Sequence, residues 1–208
     1  MFRNIIWDVD GTLFDTYPAI ARAIKVALQD LDQDAPLAWI EELAKESLSR
    51  IDAVLADTYQ LDPAALDRAI DRHFDRITLA DSPPFPGATE LCQYICSSKG
   101  QNVIVTHRGR AGTLELLTGH QLIDYFAGCI TRDDGYARKP DPAAFEAALT
   151  TYHLNRAETL TVGDREIDMV AGQAAGLFSC FYGPAPDGLK ADLVIKHFDE
   201  LYQYLVMA

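Results

Sequence analysis

The sequence predicts an α/β protein with a doubly wound, Rossmann-like parallel sheet and a small helical domain inserted after the first strand. Three observations lead to this fold class. Short apolar runs without polar alternation recur along the chain, as expected for strands covered on both faces. Helical patterns separate these runs, which is the rhythm of a parallel sheet with crossover helices. One long segment near the start contains only helical periodicity.

Five apolar runs are expected to be buried strands, and a sixth run near the C-terminus is expected to be an edge strand. Each of the five is followed by a loop and then a helical pattern. Gly119 and Gly176 stand where two of these helices are expected to end. In chain order the runs are residues 5–7, 103–105, 129–130, 160–162, 178–182 and 193–195.

The long helical segment is expected to form a small domain of its own. We assign residues 16–84 to this insert, and residues 1–15 and 85–208 to the sheet domain. An Asp-Pro pair at Asp62 is a typical helix start, and the proline-rich stretch 82–87 is a stiff linker. The apolar stripes of the insert are Ile20, Ile24, Leu28 and Leu31; Leu48, Ile51 and Leu55; and Leu66, Ile70, Phe74 and Ile77.

Net charge and the length of the apolar stretches restrict the classes of partner. The 208 residues carry a formal net charge of -13, and no run of Lys or Arg offsets it. Nucleic-acid binding depends on basic patches, so a nucleic-acid partner is excluded. No apolar stretch has the length of a signal peptide or membrane span. We therefore expect a cytoplasmic protein whose phosphate-bearing ligand is small, while the oligomeric state is left open.

Polar clusters follow four of the expected strands, directly or after a short loop. In an open α/β sheet the ligand lies beyond the carboxyl ends of the strands, so these clusters are expected on one rim. The first cluster reads Asp-Val-Asp-Gly-Thr, and the last contains two acids one helical turn apart. The candidate site residues are Asp8, Asp10, Gly11, Thr106, His107, Lys139, Asp164 and Asp168.

Four of these candidates are carboxylates that the expected sheet would crowd together. Such like charges would force protonation or destabilise the fold unless a cation joined them. All four are hard oxygen ligands, and no cluster of His and Cys accompanies them, which selects Mg²⁺ over zinc. Lys139 supplies a second positive charge. The Thr106 hydroxyl and the amides around Gly11 are candidate partners for phosphate oxygens.

The four clusters, taken in this order and each after a strand, resemble the haloacid dehalogenase superfamily of phosphatases. The first motif is less specific by itself than in combination with Thr106, Lys139, and Asp164 spaced four residues from Asp168. The resemblance covers essentially the whole chain, because the insert also matches the helical cap of phosphoglycolate phosphatase-like members. It implies a magnesium-dependent phosphatase that acts on a small phosphorylated metabolite.

The resemblance also implies a role for each motif position. Asp8 is the nucleophile that attacks phosphorus and forms an aspartyl-phosphate. Asp10 is the general acid that protonates the leaving oxygen and then the base that activates water. Thr106 and Lys139 bind the transferring phosphoryl group, and Lys139 also orients Asp8. The implied metal-binding groups are the carboxylates of Asp8 and Asp164 and the main-chain carbonyl of Asp10, with Asp168 acting from behind them or through water.

Several rim residues also have simpler explanations. Thr106 is typical of a helix cap and Lys139 of a surface charge, although the positions of both favour phosphate binding. His107 either lends its backbone amide to phosphate or packs beside the site. Arg165 and Glu166 are expected to form an exposed pair at the tip of their loop.

The candidates for substrate specificity lie in the helical insert. Lys45, Ser47, Ser49 and Arg50 fall between the first two apolar stripes, and a solvated helix face explains them about as well as contact with substrate. The rim motifs read only the phosphate. Phosphoglycolate, sugar phosphates and nucleotide monophosphates are therefore all left open as substrates.

Three other functions are alternatives to a phosphatase. A phosphotransferase of the β-phosphoglucomutase type uses the same pair of acids and returns the phosphate to its substrate, and the sequence does not separate the two. A halide-removing enzyme is disfavoured, because such members lack the second acid and Asp10 is present. A non-catalytic phosphometabolite-binding protein is disfavoured because it would not need both a nucleophile and a proton donor.

Overall fold

The structure, a computed structural model, describes residues 2–47 and 50–207, without the side chain of Ser47. The stripe residue Leu48 and the specificity candidate Ser49 therefore lie outside the described residues. Within the described residues, no helix combines the length and the apolar character needed to cross a membrane.

The first compact unit consists of Met1–Phe14 with Pro84–Ala208 and contains a six-stranded parallel sheet. The strands are β1 (Asn4–Trp7), β2 (Asn102–Val105), β3 (Phe126–Ile130), β4 (Thr159–Gly163), β5 (Phe178–Tyr182) and β6 (Leu193–Ile195). Their order is β3-β2-β1-β4-β5-β6, and every adjacent pair is parallel. The order reverses at β1, so the crevice beyond β1, β2 and β4 is where such a sheet binds ligands. The predicted fold class is confirmed.

Nine α-helices lie within the described residues. Four belong to the second compact unit, Asp15–Pro83, and five to the first. They are α1 (Tyr17–Gln29), α2 (Leu37–Ser47), α3 (Ile51–Tyr59), α4 (Pro63–Phe74), α5 (Ala88–Ser97), α6 (Arg110–Gly119), α7 (Ala143–Thr151), α8 (Glu166–Ala174) and α9 (Phe198–Met207).

Helices cover both faces of the sheet. On one face, α7 and α8 pack Phe145 and Ala171 into a core that includes Ile6 of β1. On the other, the ring of Trp7 lies 5.4 Å from the ring of Phe198 in α9, measured between centroids. Adjacent strand residues point to opposite faces, so β1 is buried on both sides. This double burial explains why its sequence is apolar without alternation.

The third strand is longer than its apolar run predicts. The run predicts a strand at 129–130, whereas β3 begins at Phe126. This strand forms one edge of the sheet, and its first three residues are only half-buried or are exposed. An apolar run therefore marks only the covered part of an edge strand.

The second compact unit has its own apolar core. The buried residues of the three predicted stripes lie on α1, α3 and α4 in that order, and each stripe contributes to this core. The remaining helix, α2, lies between the first two stripes and has no stripe of its own in the prediction. Its buried residues Ile40 and Ala44 join the same core. The buried stripe residues are Ile20, Ile24, Leu28, Ile51, Leu55, Leu66 and Ile70.

Candidate active site

Asp8 directly follows β1, and its carboxylate is almost completely buried. Its Oδ1 accepts a hydrogen bond from the ammonium of Lys139 at 2.9 Å, and the same ammonium donates to Oδ1 of Asp168 at 2.6 Å. The side chain of Lys139 is 1% exposed. A charge so deeply buried requires paired and hydrogen-bonded partners, which the two carboxylates supply.

The pKa values of this buried group reflect burial opposed by opposite charge. Burial works to raise the pKa of Asp8, but Lys139 and then Arg165 outweigh it and hold that pKa below its usual value. Burial works to lower the pKa of Lys139, but Asp168 and Asp8 outweigh it and raise that pKa. Asp8 is therefore a carboxylate and Lys139 an ammonium at neutral pH.

Asp8, Asp164 and Asp168 converge on one point. Each offers a carboxylate oxygen, and these oxygens lie within 4.8 Å of one another. Burial and then the charges of Asp8 and Asp168 raise the pKa of Asp164 to about 8. Burial also raises the pKa of Asp168, against the opposing charge of Lys139. Among the described residues, no hydrogen bond reaches the buried Oδ2 of Asp8. Hard oxygen ligands that include an unsatisfied buried oxygen fit a divalent cation.

Two residues explain how the chain brings these acids together. Thr12 donates its hydroxyl to Oδ1 of Asp164 at 2.9 Å and so ties the loop after β1 to the loop after β4. Gly163 is the last residue of β4, and a Cβ built there would lie 2.4 Å from the Cβ of Asp168. Glycine at this position therefore lets Asp168 close against the end of the strand.

The cluster after β2 supports the lysine. Thr106 is buried, and its hydroxyl oxygen accepts the N–H of Arg108 at 3.1 Å, which leaves the hydroxyl hydrogen available for donation. His107 accepts the backbone N–H of Lys139 through Nε2 at 3.0 Å. Burial, followed by positive charges with Lys139 first, lowers the pKa of His107 to about 4. The ring is therefore neutral at pH 7 and holds the Lys139 loop, while a contact between the His107 backbone amide and phosphate stays a prediction.

Asp10, the second acid of the first motif, is paired with an arginine, whereas Asp8 is paired with Lys139. Nη2 of Arg108 lies 2.7 Å from Oδ1 of Asp10, and Nε lies 3.1 Å from Oδ1 and 3.3 Å from Oδ2. The Asp10 side chain is 8% exposed and the Arg108 side chain 26%. The Asp10 carboxylate does not belong to the described cluster of Asp8, Asp164 and Asp168. The structure thus separates a lysine-bound acid from an arginine-bound acid.

The amide of Gly11 has a hydrogen-bond partner within its own loop. Its N–H donates to the carbonyl of Phe14 at 2.9 Å, while the N–H groups of Thr12 and Leu13 turn back to the carbonyl of Val9. The loop after β1 is a tight turn that pairs these three amides within itself, and phosphate binding by the amides around Gly11 stays a prediction. The Thr106 hydroxyl, directly after β2, and the Lys139 ammonium, bound to Asp8, likewise stay predicted phosphate ligands.

Comparison with known proteins identifies the family. A family model described as haloacid dehalogenase-like hydrolase matches residues 5–181. The chain belongs to this family. A phosphoglycolate phosphatase of Aliivibrio fischeri is 30% identical, with 99% of this chain and 97% of that protein covered. One of Thiobacillus denitrificans is 31% identical, with 87% of this chain and 84% of that protein covered. The prediction of a phosphatase of the haloacid dehalogenase type is thereby confirmed.

Solved structures share the fold of this haloacid dehalogenase-like hydrolase. A predicted phosphoglycolate phosphatase from Haemophilus somnus has a TM-score of 0.85 at 20% identity, with 98% of each chain covered. A HAD family hydrolase from Deinococcus radiodurans, solved with bound phosphate and sodium, has a TM-score of 0.82 at 20% identity. That match covers 99% of this chain and 96% of the other.

Arg165 of this haloacid dehalogenase-like hydrolase corrects the sequence analysis. It is not part of an exposed pair with Glu166, because its side chain is only 15% exposed. Its Nη2 lies 3.5 Å from Oδ2 of Asp8, and its Nε lies 3.9 Å from Oδ2 of Asp168. The acidic cluster draws a neighbouring cation inward, because attraction between charges is strong where water is scarce. The sequence did contain one indication of this inward position, namely that Arg165 is a cationic residue directly after Asp164 in a rim loop.

Arg108 and Thr12 also acquire contacts that the sequence analysis missed. Both stand inside the motifs that it singled out, Thr12 two residues after Asp10 and Arg108 two residues after Thr106. Proximity to a motif marks such residues as candidates, but only the fold shows that Arg108 reaches across from β2 to the loop after β1.

The specificity candidates of the helical unit are placed only in part. Lys45 is half-exposed, with its ammonium 2.9 Å from Glu41 one turn earlier and 6.0 Å from the centroid of the Tyr17 ring. Arg50 is exposed and precedes α3. Ser49 and the side chain of Ser47 lie outside the described residues. A role for these four residues in specificity stays a prediction.

Proposed function

We propose that this chain is a magnesium-dependent phosphomonoester hydrolase that acts on a small phosphorylated metabolite through an aspartyl-phosphate on Asp8. The observation that carries the proposal is the difference between the two oxygens of Asp8. Oδ1 is held by the buried ammonium of Lys139, whereas no described residue donates a hydrogen bond to Oδ2, which has only the Arg165 guanidinium as an ion-pair partner, at 3.5 Å. Such a carboxylate is charged, fixed in orientation and suited to meeting a cation and a phosphoryl group together.

Mg²⁺ fits the donor set of the acidic cluster. The carboxylates of Asp8 and Asp164 and the main-chain carbonyl of Asp10 would hold the ion. Asp168 accepts hydrogen bonds on both oxygens, from Lys139 and from the N–H of Arg165, so it is suited to acting from behind the ligands. When bound, Mg²⁺ supplies charge that offsets the repulsion between Asp8 and a phosphate dianion.

In the first step the carboxylate of Asp8 attacks phosphorus. The bond from phosphorus to the ester oxygen breaks, and the leaving oxygen takes a proton from Asp10. The Thr106 hydroxyl and the Lys139 ammonium stabilise the negative charge on the transferring group. The low pKa of Asp8 favours this step, because the nucleophile enters it already deprotonated.

In the second step the carboxylate of Asp10 takes a proton from water. The water oxygen forms a bond to phosphorus, and the bond between phosphorus and Asp8 breaks. Inorganic phosphate leaves, and Asp8 returns to its carboxylate form. Asp10 carries the proton again and is ready for the next leaving group.

The relatives indicate the kind of substrate. The phosphoglycolate phosphatases to which the chain is similar support a substrate of the phosphoglycolate type, with sugar phosphates as the alternative. We propose that the unit Asp15–Pro83 is the cap that discriminates among substrates in a cytoplasmic enzyme. The segment from Lys45 to Arg50 is the first place to seek the contacts.

A phosphate-release screen tests the proposed function. Phosphoglycolate, sugar phosphates and nucleoside monophosphates would be assayed with Mg²⁺ and with EDTA, in the wild type and in Asp8→Asn. Release that requires Mg²⁺, is highest on one class of small ester and is absent in Asp8→Asn supports the proposal. Equal release in EDTA, or full activity of Asp8→Asn, contradicts it.

A further inference from the structure

Arg108 places a positive charge on the Asp10 side of the site. Its guanidinium uses Nε and Nη2 to bind the Asp10 carboxylate. Lys139 and Arg165 instead face Asp8 and Asp168. Positive charge is thus present both beside the nucleophile and beside the second acid.

The main chain of Arg108 is fixed on both sides. Its N–H donates to the hydroxyl oxygen of Thr106 at 3.1 Å, and its carbonyl accepts the N–H of Arg132 at 3.2 Å. The far end of the side chain lies over α6 at Gly112, where a Cβ would be 3.2 Å from Nη1. Glycine at this position therefore lets the guanidinium lie close against the helix.

The charge of Arg108 is maintained although the side chain is largely buried. Burial works to lower its pKa, but Asp10 and then Glu115 outweigh it and raise the pKa above the usual value. A guanidinium has five N–H donors in a planar fork and binds a carboxylate most strongly through two parallel hydrogen bonds. With Asp10 on Nε and Nη2, the edge formed by Nη1 and Nη2 is the one suited to a second carboxylate.

We propose that Arg108 is a specificity-determining residue that binds a carboxylate of the leaving group, so that the preferred substrates are phosphate esters of small hydroxy acids. The inference rests on the proposed function, because it is the acid–base role of Asp10 that puts the leaving oxygen next to Arg108. A carboxylate attached close to that oxygen meets the guanidinium, whereas a neutral alcohol leaves its outer edge to water.

The test compares two esters that differ only in charge, phosphoglycolate and the neutral phosphoglycolamide. We expect the wild type to favour phosphoglycolate in kcat/KM by about 10- to 100-fold, the range of a charged hydrogen-bonded pair. Arg108→Gln lowers kcat/KM on both esters, because Arg108 also contacts Asp10, but it abolishes the preference for the carboxylate. Arg108→Lys keeps the positive charge but lacks the paired N–H donors of the guanidinium, so it retains only part of the preference for phosphoglycolate.

The matched control is Arg132→Gln. Arg132 is a neighbour of Arg108 whose side chain is 65% exposed and pairs with Asp133. Its substitution removes the same charge from the same region, and we expect the preference to stay at the wild-type value. A thermal melt of each variant establishes that it is folded, and if Arg108→Gln does not fold, the ratio in Arg108→Lys decides.

Three results would overturn the inference. They are an absence of preference in the wild type, an unchanged ratio in folded Arg108→Gln or Arg108→Lys, and an equal loss of preference in Arg132→Gln. Failure of the proposed function looks different, since the wild type would then release no phosphate from any ester, or Asp8→Asn would remain active. That result would overturn the inference as well.

Discussion

The ammonium of Lys139 lies 2.9 Å from Oδ1 of Asp8, and both side chains are almost completely buried. The same ammonium holds Asp168 at 2.6 Å, so one cation pairs with two acids, one in the loop after β1 and one in the first turn of α8. Removal of one partner from a buried ion pair leaves an uncompensated charge in a region of low polarity. Lys139 is therefore expected to contribute to stability as well as to chemistry.

Lys139→Ala is predicted to destabilise the metal-free protein by about 3–5 kcal/mol, because Asp8 and Asp168 lose their shared cation. Urea unfolding in EDTA measures this free energy. Lys196→Ala, at an exposed position, is the matched control and should change stability by less than about 0.5 kcal/mol. Equal effects of the two substitutions would mean that the buried ion pairs contribute nothing specific.

Metal-free protein is predicted to lose stability as pH rises. Asp164 has a pKa of about 8 in the folded state against a usual value of 3.8, so between these values the native state keeps a proton that the unfolded state releases. The free energy of unfolding therefore falls with increasing pH through this window. Urea unfolding in EDTA at pH 5.5 and pH 8.5 measures the difference.

Asp164→Asn is the control for this pH dependence. Its difference in stability between the two pH values should be smaller than that of the wild type, because the titrating group is gone. Saturating Mg²⁺ should also reduce the wild-type difference, since the cation replaces the proton. A steeper fall in Asp164→Asn than in the wild type would contradict the prediction.

Asp10→Asn is predicted to slow turnover of alkyl phosphates by about 10²- to 10⁴-fold, the usual contribution of a general acid–base group. The first step on 4-nitrophenyl phosphate should lose much less, because that leaving group needs no proton. A rapid-quench measurement of the burst separates the first step from hydrolysis. Equal losses of the first step on both esters would remove Asp10 from the role of proton donor.

Arg165→Gln is predicted to tighten Mg²⁺ binding by at least about threefold. The Arg165 guanidinium lies 3.5 Å from Oδ2 of Asp8, the oxygen that we assign to the ion, and like charges at such a distance repel. Isothermal titration gives the Kd. Arg138→Gln removes an exposed charge beside Lys139 and should leave the Kd within about twofold. Weaker binding in Arg165→Gln would show that the guanidinium supports the metal site.

The sequence was sufficient to predict the strands and the rim. Buried parallel strands are apolar without alternation, and their carboxyl ends carry the polar residues, so Asp8, Lys139, Asp164 and Asp168 were found from their positions after strands. The stripes of the helical unit were also predictable from the sequence, because burial of one helix face imposes a period of 3.6 residues. α2 had no stripe in the prediction, although its residues Ile40 and Ala44 are buried.

The partners of the rim residues could not be predicted from local pattern. Arg165 stands in a loop, where an arginine side chain is usually exposed. Its burial is favourable here because three acids converge beside it. Arg108 reaches Asp10 across 98 positions of sequence, a contact that depends on the order of β1 and β2 in the sheet. The amides around Gly11 were predicted phosphate ligands, but the hydrogen bond from Gly11 to the carbonyl of Phe14 could not be foreseen from the sequence.

The central claim is that phosphate passes through a covalent bond to Asp8. The most direct test is a rapid acid quench of the enzyme with ³²P-labelled substrate and Mg²⁺, followed by borohydride reduction and peptide mapping. We expect label that chases into inorganic phosphate, conversion of Asp8 to homoserine, and no label in Asp8→Asn. Label on Asp10 or Asp164, or full turnover by Asp8→Asn, would contradict it.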